Sequence, residues 1–142
     1  MSEPVAAPTR FEPPVTDFTA PFWDATREGR LLLPWCRSCE QPFWFPRETC
    51  PRDLSPDLEW RHTDGRGAVH AASVMPKPGN PLMAGREPYV VALVDLDEGV
   101  RMMSTVVGSD PWSVAVGDRV VLGWEPLSDG RQLYVFERDG AA

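Results

Sequence analysis

Pro88-Tyr89-Val90-Val91-Ala92-Leu93-Val94-Asp95-Leu96-Asp97-Glu98-Gly99-Val100 is the stretch on which the fold class turns. Tyr89–Leu96 is rich in β-branched and aromatic residues, the composition of a strand. Asp97-Glu98-Gly99 is a tight-turn signal, so Val100–Val107 is predicted as the returning strand. The same grammar repeats downstream. Gly117-Asp118 is a turn before a strand at Arg119–Trp124, and Ser128-Asp129-Gly130 is a turn before one at Leu133–Phe136. Upstream, Ala68–Met75 alternates imperfectly around small residues. Five short strands in this span predict a small closed or nearly closed barrel.

Ser109–Val114, between the third and fourth strands, reads as a helical turn. An oligonucleotide/oligosaccharide-binding (OB) fold carries its one helix at that place. Pro76–Pro88 is a long Pro/Gly-rich connection of the kind that is functional or mobile in compact domains. N-terminal to this segment the grammar differs. Residues 1–21 hold Pro4, Pro8, Pro13, Pro14 and Pro21, which exclude a continuous helix. Met1–Thr9 reads as a mobile tail and Phe11–Pro21 as an extended arm with Phe11 and Phe18 as apolar handles. Residues 20–30 form the one helical stretch, with Thr19 as N-cap, Pro21 near the first position and Gly29 as the stop. Leu31–Trp35 and Phe43–Phe45 read as strands of two hairpins built around the cysteines. The expected organisation is mainly β: an arm over 1–19, a helix and zinc-ribbon-like hairpins over 20–58, a five-stranded OB barrel over 59–138, and a tail over 139–142.

The 142 residues are 42% apolar, which suits a packed core, and carry a formal charge of −7. A net acidic chain is a poor nonspecific binder of DNA or RNA, where phosphate neutralisation dominates. Tyr89 is the only aromatic on the second and third strands, where a nucleic-acid-binding OB module would interleave aromatics with Lys/Arg. No apolar run approaches a membrane span, and the N-terminus lacks a basic segment followed by an apolar one. The expectation is a cytoplasmic chain whose three cysteines are not stapled as disulfides.

Those cysteines form a pattern. Cys36-Arg37-Ser38-Cys39 is a CxxC and Cys50-Pro51-Arg52-Asp53 a CxxD. Two such knuckles on hairpin tips can converge on one tetrahedral zinc ion, held by Cys36, Cys39, Cys50 and Asp53. The competing reading is a degenerate ribbon held by packing of Trp35, Phe43, Trp44 and Phe45. His62 is a substitute ligand by type but lies on a strand, where a hydrogen-bonded structural role suffices. Three thiolates are too few for a rubredoxin-type iron site.

The order of parts is recognisable: Phe22-Trp23, Gly29-Arg30-Leu31-Leu32, Cys36-x-x-Cys39, Phe45-Pro46-Arg47, Cys50-Pro51, Gly65-Arg66-Gly67, the Tyr89–Gly99 stretch and Val116-Gly117-Asp118-Arg119-Val120. Over residues 20–137 the chain resembles the DUF35 family, OB-fold proteins with an N-terminal helical segment and a rubredoxin-like zinc ribbon. It departs at Asp53, where zinc-binding members have a fourth cysteine, and at Glu40, where they have glycine.

The resemblance implies a noncatalytic accessory subunit in acyl-CoA chemistry. The implied partner is a lipid-transfer-type thiolase or a related aldolase acting on a steroid or similar side-chain acyl-CoA, in a heterotetramer. The alternatives are a subunit of an enoyl-CoA hydratase and a CoA or acyl-CoA shuttle without a permanent partner. The residues agree with a noncatalytic role: only His62 and His70 are present, neither is paired with a nucleophile in sequence, and no phosphate-binding Gly-rich loop precedes a helix. The CoA thioester is then bound mainly by the partner. Lys77 and Arg86, in the Pro76–Pro88 connection, are the residues placed to touch a CoA phosphate, against an ordinary solvated loop. Large aromatics anchor protein interfaces. Phe18, Phe22, Trp23, Trp35 and Trp44 are therefore the expected partner contacts, against the reading that they fill the cleft between ribbon and barrel.

Overall fold

The computed structural model describes residues 12–78 and 81–140. The expected tail Met1–Thr9, the apolar handle Phe11 and residues 141–142 lie outside the described residues. The chain runs α1 (Ala20–Thr26), β1 (Leu31–Cys36), β2 (Gln41–Pro42), β3 (Leu58–Thr63), β4 (Arg66–Met75), β5 (Tyr89–Leu96), β6 (Arg101–Ser104), β7 (Val106–Val107), β8 (Arg119–Pro126) and β9 (Gln132–Arg138). A 3₁₀ turn at Pro111–Ser113 sits where the sequence predicts a helical turn.

Tyr89–Leu96 behaves as its alternation requires. Val90, Ala92, Val94 and Leu96 are buried on one face while the intervening residues are partly exposed. Gly99, at φ +100, turns the chain into β6. β4 carries a bulge at His70, between Val69 and Ala71. The extra residue bends the strand. One strand thereby pairs along its length with β5 and, at Arg66–Ala68, with β8.

The large sheet corrects the closed five-stranded OB barrel expected from the sequence. It is open and six-stranded, in the order β6-β5-β4-β8-β9-β7, beside a three-stranded sheet β2-β1-β3. The cause lies in Val100–Val107, expected as one return strand. It breaks at Thr105. Arg101–Ser104 pairs antiparallel with β5, while Val106–Val107 pairs parallel with β9. The Thr105 carbonyl between them accepts from Phe136 N at 3.0 Å. The two pieces are thus the two edges of the sheet, and covalent chain rather than a hydrogen-bonded ladder connects one edge to the other.

The helix is also shorter than the predicted 20–30. It ends at Thr26, and Thr19 does not cap it: its hydroxyl bonds Thr16 instead. Gly29, at φ +69, does lead the chain out toward β1. What holds so short a helix is tertiary contact. Thr26 Oγ1 donates to Trp23 O at 2.6 Å and accepts from Gln132 N at 3.1 Å, and Gln132 Nε2 donates to Thr26 O at 2.9 Å. These bonds fasten α1 to β9. The described part of the arm lies on the same corner. The Glu12 carboxylate accepts from Ser128 N and Oγ, and Arg131 Nη1 donates to Pro13 O at 2.8 Å.

Phe22 is the packing centre. Its ring meets those of Trp23, Trp44, Trp60 and Tyr134 at centroid distances of 4.9, 5.3, 6.3 and 6.0 Å. Trp60 lies on β3, Trp44 just beyond β2 and Tyr134 on β9, so one side chain joins helix, small sheet and large sheet. Phe22→Ala is expected to cost about 3–5 kcal/mol. Urea unfolding followed by tryptophan fluorescence checks this; a loss below about 1 kcal/mol would show that the two sheets hold together without the ring.

Candidate functional site

The two cysteine knuckles do meet. β1 ends at Cys36 beside β3, and the following turn brings Cys39 back beneath it. Glu40 then takes φ +58, the left-handed backbone for which glycine is suited. In the second knuckle Leu54 takes φ +60, and Leu54 N donates to Cys50 O at 2.9 Å. The ligand atoms of Cys36, Cys39, Cys50 and Asp53 all lie within 4.8 Å of one another. His62 is not among them; it is exposed on β3, 3.5 Å from Asp64.

The donor set fits zinc. Zinc–sulfur bonds of about 2.3 Å in a tetrahedron place sulfurs about 3.8 Å apart, and a carboxylate oxygen slightly nearer to a sulfur. Cys39 Sγ and Cys50 Sγ are 3.8 Å apart, and Cys36 Sγ is 3.6 Å from Asp53 Oδ1. Cys36 and Cys50 are fully buried, Cys39 half-buried and Asp53 exposed. The electrostatics follow this gradient. Burial pushes the Cys36 thiol up to about 11. The Arg52 guanidinium holds the Cys39 thiol below its usual range, and the Ser55 backbone N–H does the same for the Asp53 carboxyl. A divalent cation would occupy the point on which these four groups converge and displace the thiol protons.

The second feature is an apolar groove of about 770 Å³ on the large sheet, with Met83, Tyr89, Met103, Val107, Trp124 and Tyr134 among its walls. It lies within the size range of small-molecule sites. Arg86, expected near a CoA phosphate, lines this groove, where its Nη1 stands 2.5 Å from Glu125 Oε1. Lys77 is exposed between Pro76 and Pro78 and is not part of the groove wall. Tyr134 is buried deeply enough for its phenol to be raised to about 12. The groove carries no signal in sequence, since its walls come from strands far apart along the chain.

The aromatics expected at a partner interface divide. Phe22 and Trp23 are buried in the chain's own core, which corrects the expectation for those two. Trp35 lies under the Arg61 guanidinium, 4.2 Å from its ring centroid, and Trp44 is half-buried against Phe22 and Tyr134. Phe18 is 39% exposed, with Phe45 and Trp112 more open still at 56% and 65%. Nothing local to these rings separates buried from exposed, because that depends on which strands pair.

Two family models match. Residues 23–59 match the ChsH2 rubredoxin-like zinc ribbon domain and residues 60–125 the ChsH2 C-terminal OB-fold domain. The chain belongs to the ChsH2 (DUF35) family. A chain of the solved Ltp2-ChsH2(DUF35) aldolase superposes with a TM-score of 0.79 at 32% identity, over 89% of this chain and 98% of that one. A probable enoyl-CoA hydratase alpha subunit of Thermomonospora curvata is 35% identical over 81% of this chain and 36% of its own. The 3-oxo-4,17-pregnadiene-20-carboxyl-CoA hydratase alpha subunit of Mycobacterium tuberculosis is 35% identical over 85% of this chain and 38% of its own. The chain therefore spans somewhat over a third of the length of these two hydratase subunits.

The ribbon geometry yields a direct test. The purified chain is expected to bind one zinc ion, with Cys50→Ser abolishing and Asp53→Ala weakening the binding. Free zinc at about a hundredfold over Kd should raise unfolding stability by about 2.7 kcal/mol. Metal analysis and thermal unfolding with and without chelator measure both. An unchanged melting curve and no bound zinc would leave aromatic packing alone to hold the ribbon.

Proposed function

We propose that the chain is a noncatalytic accessory subunit of a thiolase-superfamily enzyme acting on an acyl-CoA. The form best supported is the partner subunit of an aldolase that cleaves a steroid or similar lipid side chain. The likeness to the ChsH2-containing aldolase carries this reading, because it runs over nearly the whole of that chain at 32% identity. The hydratase alternative rests on relatives matched over little more than a third of their length.

The chemistry within the described residues supports the assignment of bond-breaking to the partner. His62 and His70 are both about half exposed, and each faces only an aspartate, Asp64 and Asp95. Asp95 and Asp97 face Arg101 and Arg119, which hold both carboxyls below their usual range. Neither is poised as a general base near neutral pH. The three thiols converge on the metal position rather than on a substrate cleft. In this reading the partner supplies the retro-aldol base and most of the CoA site. This chain orders the partner's active-site loops and closes its substrate channel, with Phe18 and the other exposed aromatics as contacts and Lys77 at the CoA end.

Copurification with a thiolase-type partner should give a hetero-oligomer with carbon–carbon lyase activity on a β-hydroxyacyl-CoA of a steroid or similar lipid side chain. The isolated chain should show none. Turnover by this chain alone, or full activity of the partner without it, would falsify the proposal.

A further inference from the structure

The metal centre carries a charge that must be opposed. Three thiolates and a carboxylate carry four negative charges, so a divalent cation leaves a net charge of −2 at a site where Cys36 and Cys50 are fully buried. Such a charge is costly unless protein dipoles or cations oppose it. Backbone donors supply part of the opposition: Cys39 N lies 3.5 Å from Cys36 Sγ, Arg52 N lies 3.4 Å from Cys50 Sγ, and Ser55 N lies 3.0 Å from Asp53 Oδ1. Cys39 Sγ is served differently. Its donor is the Arg52 guanidinium, with Nη2 at 3.5 Å. Among the described residues this is the one side chain outside the ligand set that donates to a cluster sulfur.

Arg52 is also held in place. The same Nη2 donates to the Pro42 carbonyl on β2 at 3.0 Å, across the first knuckle. The guanidinium therefore spans from one hairpin to the sulfur of the other, adjacent in sequence to the ligand Asp53. We propose that Arg52 is the positioning and charge-compensating residue of this metal centre, and that it sets the affinity of the Cys₃Asp site for zinc. Outer-shell hydrogen bonds orient ligands and tune a bound metal, and a fixed positive charge also lowers the repulsion among them. The inference rests on the metal centre described above and is independent of the proposed function.

The test is zinc affinity of the purified full chain, by competition with a chromophoric chelator. Arg52→Gln and Arg52→Ala should each weaken binding by about 10- to 100-fold. Arg52→Lys keeps the charge but loses the planar fork, and should fall between wild type and Arg52→Gln. A charge effect has a second signature: the ratio of Kd values for Arg52→Gln and wild type should shrink in about 1 M sodium perchlorate, because Arg52 is exposed to screening. A purely structural contact would not give that salt dependence. Far-UV circular dichroism of each variant identifies any that is misfolded, and Arg52→Lys then carries the comparison. Arg52→Gln binding within about twofold of wild type, a ratio unmoved by salt, or a wild-type chain that takes no zinc would each overturn the proposal.

Discussion

The contact between Phe22 and the rings of Trp44, Trp60 and Tyr134 is the constraint on which the architecture depends. Neither sheet could bury its inner face alone. The small one has a two-residue strand at one edge, and the large one is open at both. The seven-residue helix is too short to persist without a surface. Phe22 answers all three deficits at one point, since aromatic pairs at these distances and tilts add to simple area burial. Thr26 and Gln132 then fix the helix in rotation against β9. This explains the density of tryptophan in the N-terminal half: much of it is the seam between two incomplete sheets.

The corner of the small sheet beyond that seam is held in another way. Its own buried apolar cluster is only Cys36, Phe43 and Cys50. Glu40 and Leu54 both adopt left-handed backbone there, a conformation that costs a non-glycine residue on the order of 1–2 kcal/mol. Burial of three side chains leaves little margin over such costs. Ligand bonds would add to it, since in small metal-bound units the binding free energy is folding free energy. The aromatic seam and the cysteine corner thus lie at opposite ends of β1, which runs from buried Leu31 at the first to buried Cys36 at the second.

Much of this was legible in the sequence where the determinants are local. The alternation of Tyr89–Leu96, the Gly99 turn, the change of direction at Gly29 and the convergence of CxxC with CxxD each depend on residues close along the chain. What escaped is what depends on distant partners. Nothing near Thr105 marks a strand break, because the break exists only in relation to β5 on one side and β9 on the other. The helix length escaped because the helix ends at Thr26, where that residue's hydroxyl and carbonyl are taken up by Gln132 of β9. The inward facing of Phe22 and Trp23, and the bond from Arg52 to Cys39, appear only once the hairpins are placed side by side.

The distribution of charge bears on what such a chain can contribute to a complex. Its arginines are largely engaged with its own acids: Arg37 with Asp57 and Glu59, Arg66 with Asp139, Arg101 with Asp95, Arg119 with Asp97, Arg138 with Asp118. Most of these pairs are exposed and contribute little to stability. Their effect is to cancel local fields, so that these arginines form no concentrated basic surface among the described residues of a chain whose net charge is −7. The Arg86–Glu125 pair repeats this within the groove, where a phosphate would first have to displace a carboxylate. What the described surface exposes instead is apolar shape, in the groove and, separately, in the rings of Phe18, Phe45 and Trp112. The described surface thus offers shape and apolar contact, and its cations are largely spent on the chain's own carboxylates.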